Sequence, residues 1–417
     1  MASGKAVDAV YNIEPPAPAR KLRELYYMAH FIHSHAAHFY ALAAPDFVVG
    51  PDAPPEKRNI LGLIEKVGLE IGKEVIKQRK IAQDIQIIVG GRATHPVWNI
   101  PGGVSKGITP EDRETLKELA NEQLKFGEFG LKLFNDVVLG NKAYVDLILG
   151  DAYELVTNYM GLVDENNRVN FYDGKVRVVD TEGKEIIKYS ESEYLEHIAE
   201  HVEPYTYLKF PYLKKYGWQG FKEGAGTSIY QAAPLARLNA ADGMATPKAQ
   251  EAYEKFYETL GGKPVHKLLA THWARLIELL YAAERLVELV NDDEILDPTV
   301  RAIPSSIPSE GVGIIEAPRG TLTHHYWTDE NGIVTKANLI VGTTNNNAPI
   351  SMAVKKAATK LIGKGGEVTD GLLNMVEMAF RLFDPCFSCA THSLPGQMPL
   401  LVEIRDSSGE LIKEISR

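Results

Sequence analysis

A chain of 417 residues, 45% hydrophobic and 24% charged with a net charge of −10, has the balance of a globular protein with room for a large core. The acidic excess argues against nonspecific nucleic-acid binding, which needs basic patches, and no apolar run approaches the roughly 20 residues of a membrane span. Two cysteines exclude a disulfide scaffold and suit a reducing compartment. Met1-Ala2-Ser3-Gly4-Lys5 runs into a helical pattern rather than a basic-then-apolar leader, so the expected location is cytoplasmic.

Prolines 15, 16 and 18 punctuate a loop, after which Leu22, Leu25, Met28, Ala29, Ile32, Ala36 and Tyr40 keep helical spacing across 19–44. A second long helix is expected over 57–89, with Ile60, Leu63, Ile64, Val67, Ile71 and Val75 on one stripe, and a third over 111–138. Residues 167–187 alternate apolar and polar around Asp173-Gly174 and Glu182-Gly183, which predicts small hairpins. The glycine- and alanine-rich stretch 217–243 reads as a long loop, and 264–290 as another long helix. A strand pair is expected over 311–341, turning at Asn331-Gly332, then helices over 350–362 and 372–383 that Asp384-Pro385 terminates. The tail alternates on either side of Asp406-Ser407-Ser408-Gly409 and predicts a last hairpin. The sum is a helix-rich α+β protein, a long-helix bundle with peripheral hairpins.

The two cysteines stand together in Asp384-Pro385-Cys386-Phe387-Ser388-Cys389-Ala390-Thr391-His392. Thiolates three apart can turn toward one soft metal ion with His392 as ligand or neighbour. Spacing alone leaves two other readings, a redox pair or two packed inert thiols. In Gly90-Gly91-Arg92-Ala93-Thr94-His95-Pro96, glycine and proline encode a fixed irregular loop that either carries Arg92 and His95 to a ligand or only joins two helices. In Glu316-Ala317-Pro318-Arg319-Gly320, Arg319 can project a permanent charge into a cavity or make a surface salt bridge. His30, His33, His35 and His38 crowd one helix, as metal ligands, proton carriers or satisfied core residues.

Together with His33-Ser34-His35-Ala36-Ala37-His38-Phe39-Tyr40 and Gly342-Thr343-Thr344-Asn345-Asn346-Asn347-Ala348-Pro349, these segments resemble, in order, the large catalytic subunit of nickel-iron hydrogenases. The wording is most similar to the cytoplasmic F420-reducing and F420-non-reducing group. The resemblance implies reversible heterolytic cleavage of dihydrogen at a nickel ion held by four cysteines, two bridging to an iron with carbon monoxide and cyanide ligands. It makes Cys386 the terminal nickel ligand and proton acceptor, Cys389 a bridging ligand, and His392 a ligand of a secondary magnesium or iron ion. Arg319 would approach the iron's diatomic ligands, Asp384 would hold that arginine, and Pro318 and Thr343 would line the cofactor. Two cysteines cannot ligate a cluster, so electrons would leave through an iron–sulfur small subunit, with further electron-transfer subunits beyond it.

Two departures accompany the resemblance. The family's Arg-Ile-Glu-Gly-His-like segment and its first Cys-x-x-Cys are absent, and residues 1–10 resemble the stretch that follows them. That implies a late-starting reading frame, whether through a misplaced start, a split gene or a truncation, and a chain inactive by itself. Residues 393–417 correspond to the extension that a maturation protease removes, so the expected division is 1–392 and 393–417. The rivals are an inactive or assembly form, the related quinone-binding subunit of respiratory complex I (which usually lacks these cysteines), and a structural protein binding one zinc through Cys386 and Cys389.

Overall fold

The computed structural model describes residues 1–363, 368–386, 401–406 and 408–416. Met1–Asp384 forms one compact unit and Pro385–Arg417 a second. The expected boundary at 392 lies outside the described residues.

The core of the first unit is a bundle of α1 (Ala17–His38), α2 (Leu69–Gly90), α3 (Pro110–Phe134), the short α4 (Pro234–Ala240) and α5 (Thr271–Val290). Pro18 in the first turn of α1 costs no hydrogen bond there, and α3 starts on a capping box between Thr109 and Asp112. α5 is the central element, with 17 of its 20 residues buried. Only Arg285, Val287 and Glu288 near its end reach solvent, yet it also carries Arg275, Glu278 and Glu284 inside the protein. α3 lies close against it because Gly127 brings no side chain to the contact with Leu280.

The helix expected over 57–89 is broken into Ile60–Val67 and α2, because Gly68 takes a left-handed φ of +92° that ends the first piece. α1 and α3 loosen at their C-terminal ends into π turns, Phe39–Ala43 and Asn135–Leu139. The 217–243 segment is not a plain loop. It holds the Tyr230–Gln231 strand and α4, which lies against the sheet.

Three strands, not two, occupy 310–340: β1 (Glu310–Ala317), β2 (Gly320–Thr328) and β3 (Val334–Ile340), antiparallel with β2 central. A four-stranded sheet runs Glu185–Tyr189, Lys175–Val179, Asn158–Val163, Tyr230–Gln231. The hairpin about Glu182-Gly183 is as expected, whereas the arm paired with Lys175–Val179 on the other side begins at Asn158, earlier than the alternation suggests. Helices Asn347–Ile362 and Asp370–Arg381 bring the chain to Asp384. In the second unit, Leu401–Arg405 pairs antiparallel with Leu411–Ser416, the expected tail hairpin. No helix among the described residues is long and apolar enough to cross a membrane.

Candidate functional site

Arg319 sits at the tip of the β1–β2 hairpin, where Ala317 pairs with Gly320 and only Pro318 and Arg319 lie between. Proline fixes one backbone angle of this tight turn, and Gly320 supplies a φ of +142° that other residues avoid. A side chain on Gly320 would meet the Ala232 carbonyl oxygen at 2.3 Å. The base of the turn is clamped by the Gly342–Asn347 segment. Asn346 donates to the carbonyls of Arg319 (2.8 Å) and Gly342 (3.3 Å) and accepts from the Ala232 N–H (2.9 Å). Asn345 donates to the Thr321 carbonyl (2.6 Å) and accepts from the Tyr230 hydroxyl (2.5 Å). Thr343 is half-buried in the same segment, its carbonyl accepting from the Asn346 N–H at 2.9 Å.

The guanidinium of Arg319 is held by Asp384. Nε donates to the Asp384 carbonyl at 2.6 Å and Nη2 to Oδ1 at 3.1 Å. Asp384 is buried and left-handed, with φ +53°. Its Oδ2 lies 3.8 Å from Nη1 of Arg275 and has no hydrogen-bond partner. Burial pushes the Asp384 carboxyl up from its ordinary value against the pull of Arg275 and Arg319. Burial also lowers Arg275, to about 10.

Behind the turn lie charges that sequence reasoning missed. Arg237 of α4 forms a two-pronged pair with Glu278 of α5, at 2.6 Å from each oxygen, and donates to Glu316 Oε2 at 2.9 Å. It also donates to the carbonyls of Ala317 (2.8 Å) and Pro318 (3.2 Å). Glu316 further accepts from the Leu162 N–H (2.7 Å) and the Thr321 hydroxyl (3.0 Å). Burial pushes Glu316 up to about 7 despite Arg237, while in Glu278 Arg237 and His35 overcome the burial and hold the carboxyl below its usual value. Arg237 was hidden in a stretch read as loop. Arg275 and Glu278 carried a usable signal, charges inside an otherwise apolar helix.

The histidine helix divides. His35 and His38 are buried core residues, His38 Nε2 lying 2.7 Å from the Arg381 carbonyl. His30 and His33 instead line a cleft of about 630 Å³ that also takes in Ala317 and the loop residues Ala93, His95 and Pro96. Burial pushes both His30 and His33 down to about 4. Arg92 is exposed and does not line the cleft. Its carbonyl accepts from the Tyr26 hydroxyl.

Of the residues expected to hold metal, Cys386 belongs to the second unit, and Cys389 and His392 lie outside the described residues. Among the described residues no group of three or more His, Cys, Asp or Glu could hold a metal ion.

A family described as Nickel-dependent hydrogenase matches residues 1–54 and 73–392. The chain belongs to the nickel-dependent hydrogenases. It is 52% identical over 414 residues to an iron-sulfur subunit of the F420-non-reducing hydrogenase of Archaeoglobus profundus, covering 99% of this chain and 85% of that protein. It is 37% identical over 407 residues to the beta subunit of the NAD-reducing hydrogenase HoxS of Cupriavidus necator, covering 96% and 81%. A solved NAD⁺-reducing [NiFe]-hydrogenase in its H₂-reduced state superposes with a TM-score of 0.86 at 36% identity, over 94% of this chain and 84% of that one. A nickel-iron-selenium hydrogenase from Desulfovibrio vulgaris Hildenborough shares the fold, with a TM-score of 0.65 at 21% identity over 94% and 85%.

The residues present suit part of a hydrogenase centre. Cysteine sulfur, when deprotonated, is a soft donor of the kind nickel favours, and the sequence has two such residues, Cys386 and Cys389. Asp384 keeps a buried carboxylate oxygen without a hydrogen bond two positions before Cys386 in the sequence. Two cysteines in 417 residues would supply half of the four-cysteine set that the resemblance implies.

Proposed function

We propose that this chain is the catalytic large subunit of a nickel-iron hydrogenase, cleaving dihydrogen reversibly into protons and electrons that pass to an iron–sulfur partner subunit. The observation that carries this reading is Arg319 held twice by Asp384 in a chain that matches the nickel-dependent hydrogenases. Cys386 and Cys389 would hold nickel, and His392 a secondary magnesium or iron ion. When bound, a nickel–iron centre with carbon monoxide and cyanide ligands supplies the Lewis acidity that polarises dihydrogen. Arg319 contributes a permanent positive charge whose planar fork Asp384 orients, and Pro318 and Thr343 shape the wall. The Cys386 thiolate is the proton acceptor. The two remaining thiolates come from outside these 417 residues, so the chain by itself is inactive. A maturation protease removes residues 393–417, and the assembly works in the cytoplasm.

The test is to assemble the enzyme with its partner subunits and record metal content, infrared spectra and hydrogen uptake. Stoichiometric nickel and iron with carbon monoxide and cyanide bands support the reading, as does loss of nickel in Cys386→Ser. A single zinc and no such bands overturns it. Stoichiometric nickel and iron in the purified chain alone would overturn the partial donor set. Nickel-loaded protein whose intact mass still includes 393–417 would overturn the processing step.

A further inference from the structure

The charges behind the hairpin form a closed circuit that begins and ends at Arg319. From its backbone, Ala317 and Pro318 lead to Arg237, and Arg237 leads to Glu278. Glu278 Oε2 meets His35 Nε2 at 2.9 Å, and His35 Nδ1 meets Nη1 of Arg275 at 3.3 Å. Arg275 stands beside Asp384, which returns to the Arg319 guanidinium. Arg237, Arg275, Glu278 and His35 are fully buried.

The chemistry of each link fixes the next. Arginine only donates, so His35 must accept through Nδ1 and carry its proton on Nε2, where Glu278 receives it. The ring is therefore neutral, in one tautomer. Glu278 is the pivot: one arm reaches the turn's backbone through Arg237, and the other reaches Asp384 through His35 and Arg275. Arg237 gives all of its N–H groups to five acceptor contacts, two of them main-chain carbonyls of the turn. Stability alone is a poor reason for such a circuit, because buried ion pairs are commonly no better than apolar packing of the same volume. What they give here is direction, since the two ends of the circuit are the carbonyls of Ala317 and Pro318 beside Arg319 and the carboxylate of Asp384 that holds it.

We propose that Glu278 and His35 are positioning residues for Arg319, fixing both the backbone and the guanidinium of a side chain they do not touch. This rests on the catalytic reading of Arg319 given above.

The test compares Glu278→Gln, His35→Leu and His35→Gln in the assembled, nickel-loaded enzyme. Turnover, KM for dihydrogen, the carbon monoxide and cyanide infrared bands, and hydrogen–deuterium exchange over 316–321 and 380–384 are read together. Glu278→Gln should speed exchange in both segments, displace the bands, and lower kcat on the order of tenfold to a hundredfold at unchanged KM, the cost of slight misplacement. His35→Leu, which spares the Arg237 pair, should affect 380–384 and the bands while leaving 316–321 protected. His35→Gln, whose amide both donates and accepts, should recover part of the loss. Bands and local exchange like those of the parent enzyme, even with a lower Tm, overturn the proposal. Should Glu278→Gln fail to accumulate, the two His35 variants decide it by the same criteria. Arg319→Lys is the control for the underlying reading: unchanged turnover there refutes the role of Arg319, whereas the circuit is judged by exchange.

Discussion

Asp384 grips Arg319 through two atoms at once, its main-chain carbonyl and Oδ1, from a left-handed backbone conformation that only a few residue types tolerate. Charge pairing and backbone geometry thus meet in one residue, one position before the proline that precedes Cys386.

Arg319→Lys keeps the charge and loses the fork. An ammonium cannot reproduce the parallel donation to the carbonyl and carboxylate of Asp384. Hydrogen uptake by the assembled enzyme should fall about a hundredfold, the scale of removing one electrostatic donor. Thermal unfolding should change little, because Arg319 is partly exposed.

Asp384→Asn should be milder than Asp384→Ala. Both replacements take the carboxylate away from Arg275, but asparagine tolerates φ +53° and keeps a side-chain acceptor for Arg319, whereas alanine keeps no acceptor and is strained at that backbone angle. Denaturant unfolding should give losses of about 1–3 kcal/mol for Asn and about 3–5 kcal/mol for Ala.

Arg237→Met strands two carboxylates, Glu278 and Glu316, in the fully buried interior. The expected loss is about 3–5 kcal/mol, read from urea titration. Adding Glu278→Leu removes one stranded charge, so the double variant should be more stable than Arg237→Met alone.

Acid should destabilise the fold. Burial pushes His35 and His272 down to about 3, so between there and the ordinary 6.5 the unfolded chain binds protons that the folded chain refuses. Stability present above 6.5 is lost as pH falls, with a slope approaching about 1.4 kcal/mol per pH unit per histidine. Glu316 acts oppositely: raised from 4.5 to about 7, it adds stability below 4.5 that disappears as pH rises through 7. Two histidines outweigh one carboxyl, so urea midpoints should drop from pH 7 to pH 4. His272→Gln should flatten that dependence.

Gly320→Ala should cost more than Gly342→Ala. At Gly320 a methyl group meets a main-chain oxygen at 2.3 Å and a φ of +142°. At Gly342 the nearest atom is 3.0 Å away. The first should lose about 2–3 kcal/mol and hydrogen uptake with it, the second about 1 kcal/mol, by thermal unfolding.

What was legible in the sequence followed from local rules. The apolar stripe from Leu22 to Tyr40 gave α1, and Asp406–Gly409 gave the tail turn. Asp384-Pro385 marked the end of a helix that stops at Arg381. Long-range geometry was hidden. Gly68 splits a continuous apolar stripe because one backbone angle outweighs periodicity. Composition alone does not make Pro318-Arg319 a turn; distant Asn345 and Asn346 hold the strand pairing that closes it between Ala317 and Gly320. Local rules say nothing of where the asparagine run 345–347 bonds, because its hydrogen-bond partners lie up to 138 residues away. Arg237 was missed for the same reason: nothing near it in sequence shows the carboxylates it meets.

Those separations bear on how the protein is made. His35 and Glu278 are 243 residues apart, Glu278 and Arg237 are 41, and Arg275 and Leu382 are 107. A ribosome-bound chain that has emerged as far as α4 holds Arg237 with neither carboxylate yet available, and Arg319 remains without its grip until residue 384 is out. Contacts of such high order close late. The Arg319–Asp384 grip needs the last residue of the first unit, so it is among the last of that unit's long-range contacts able to close.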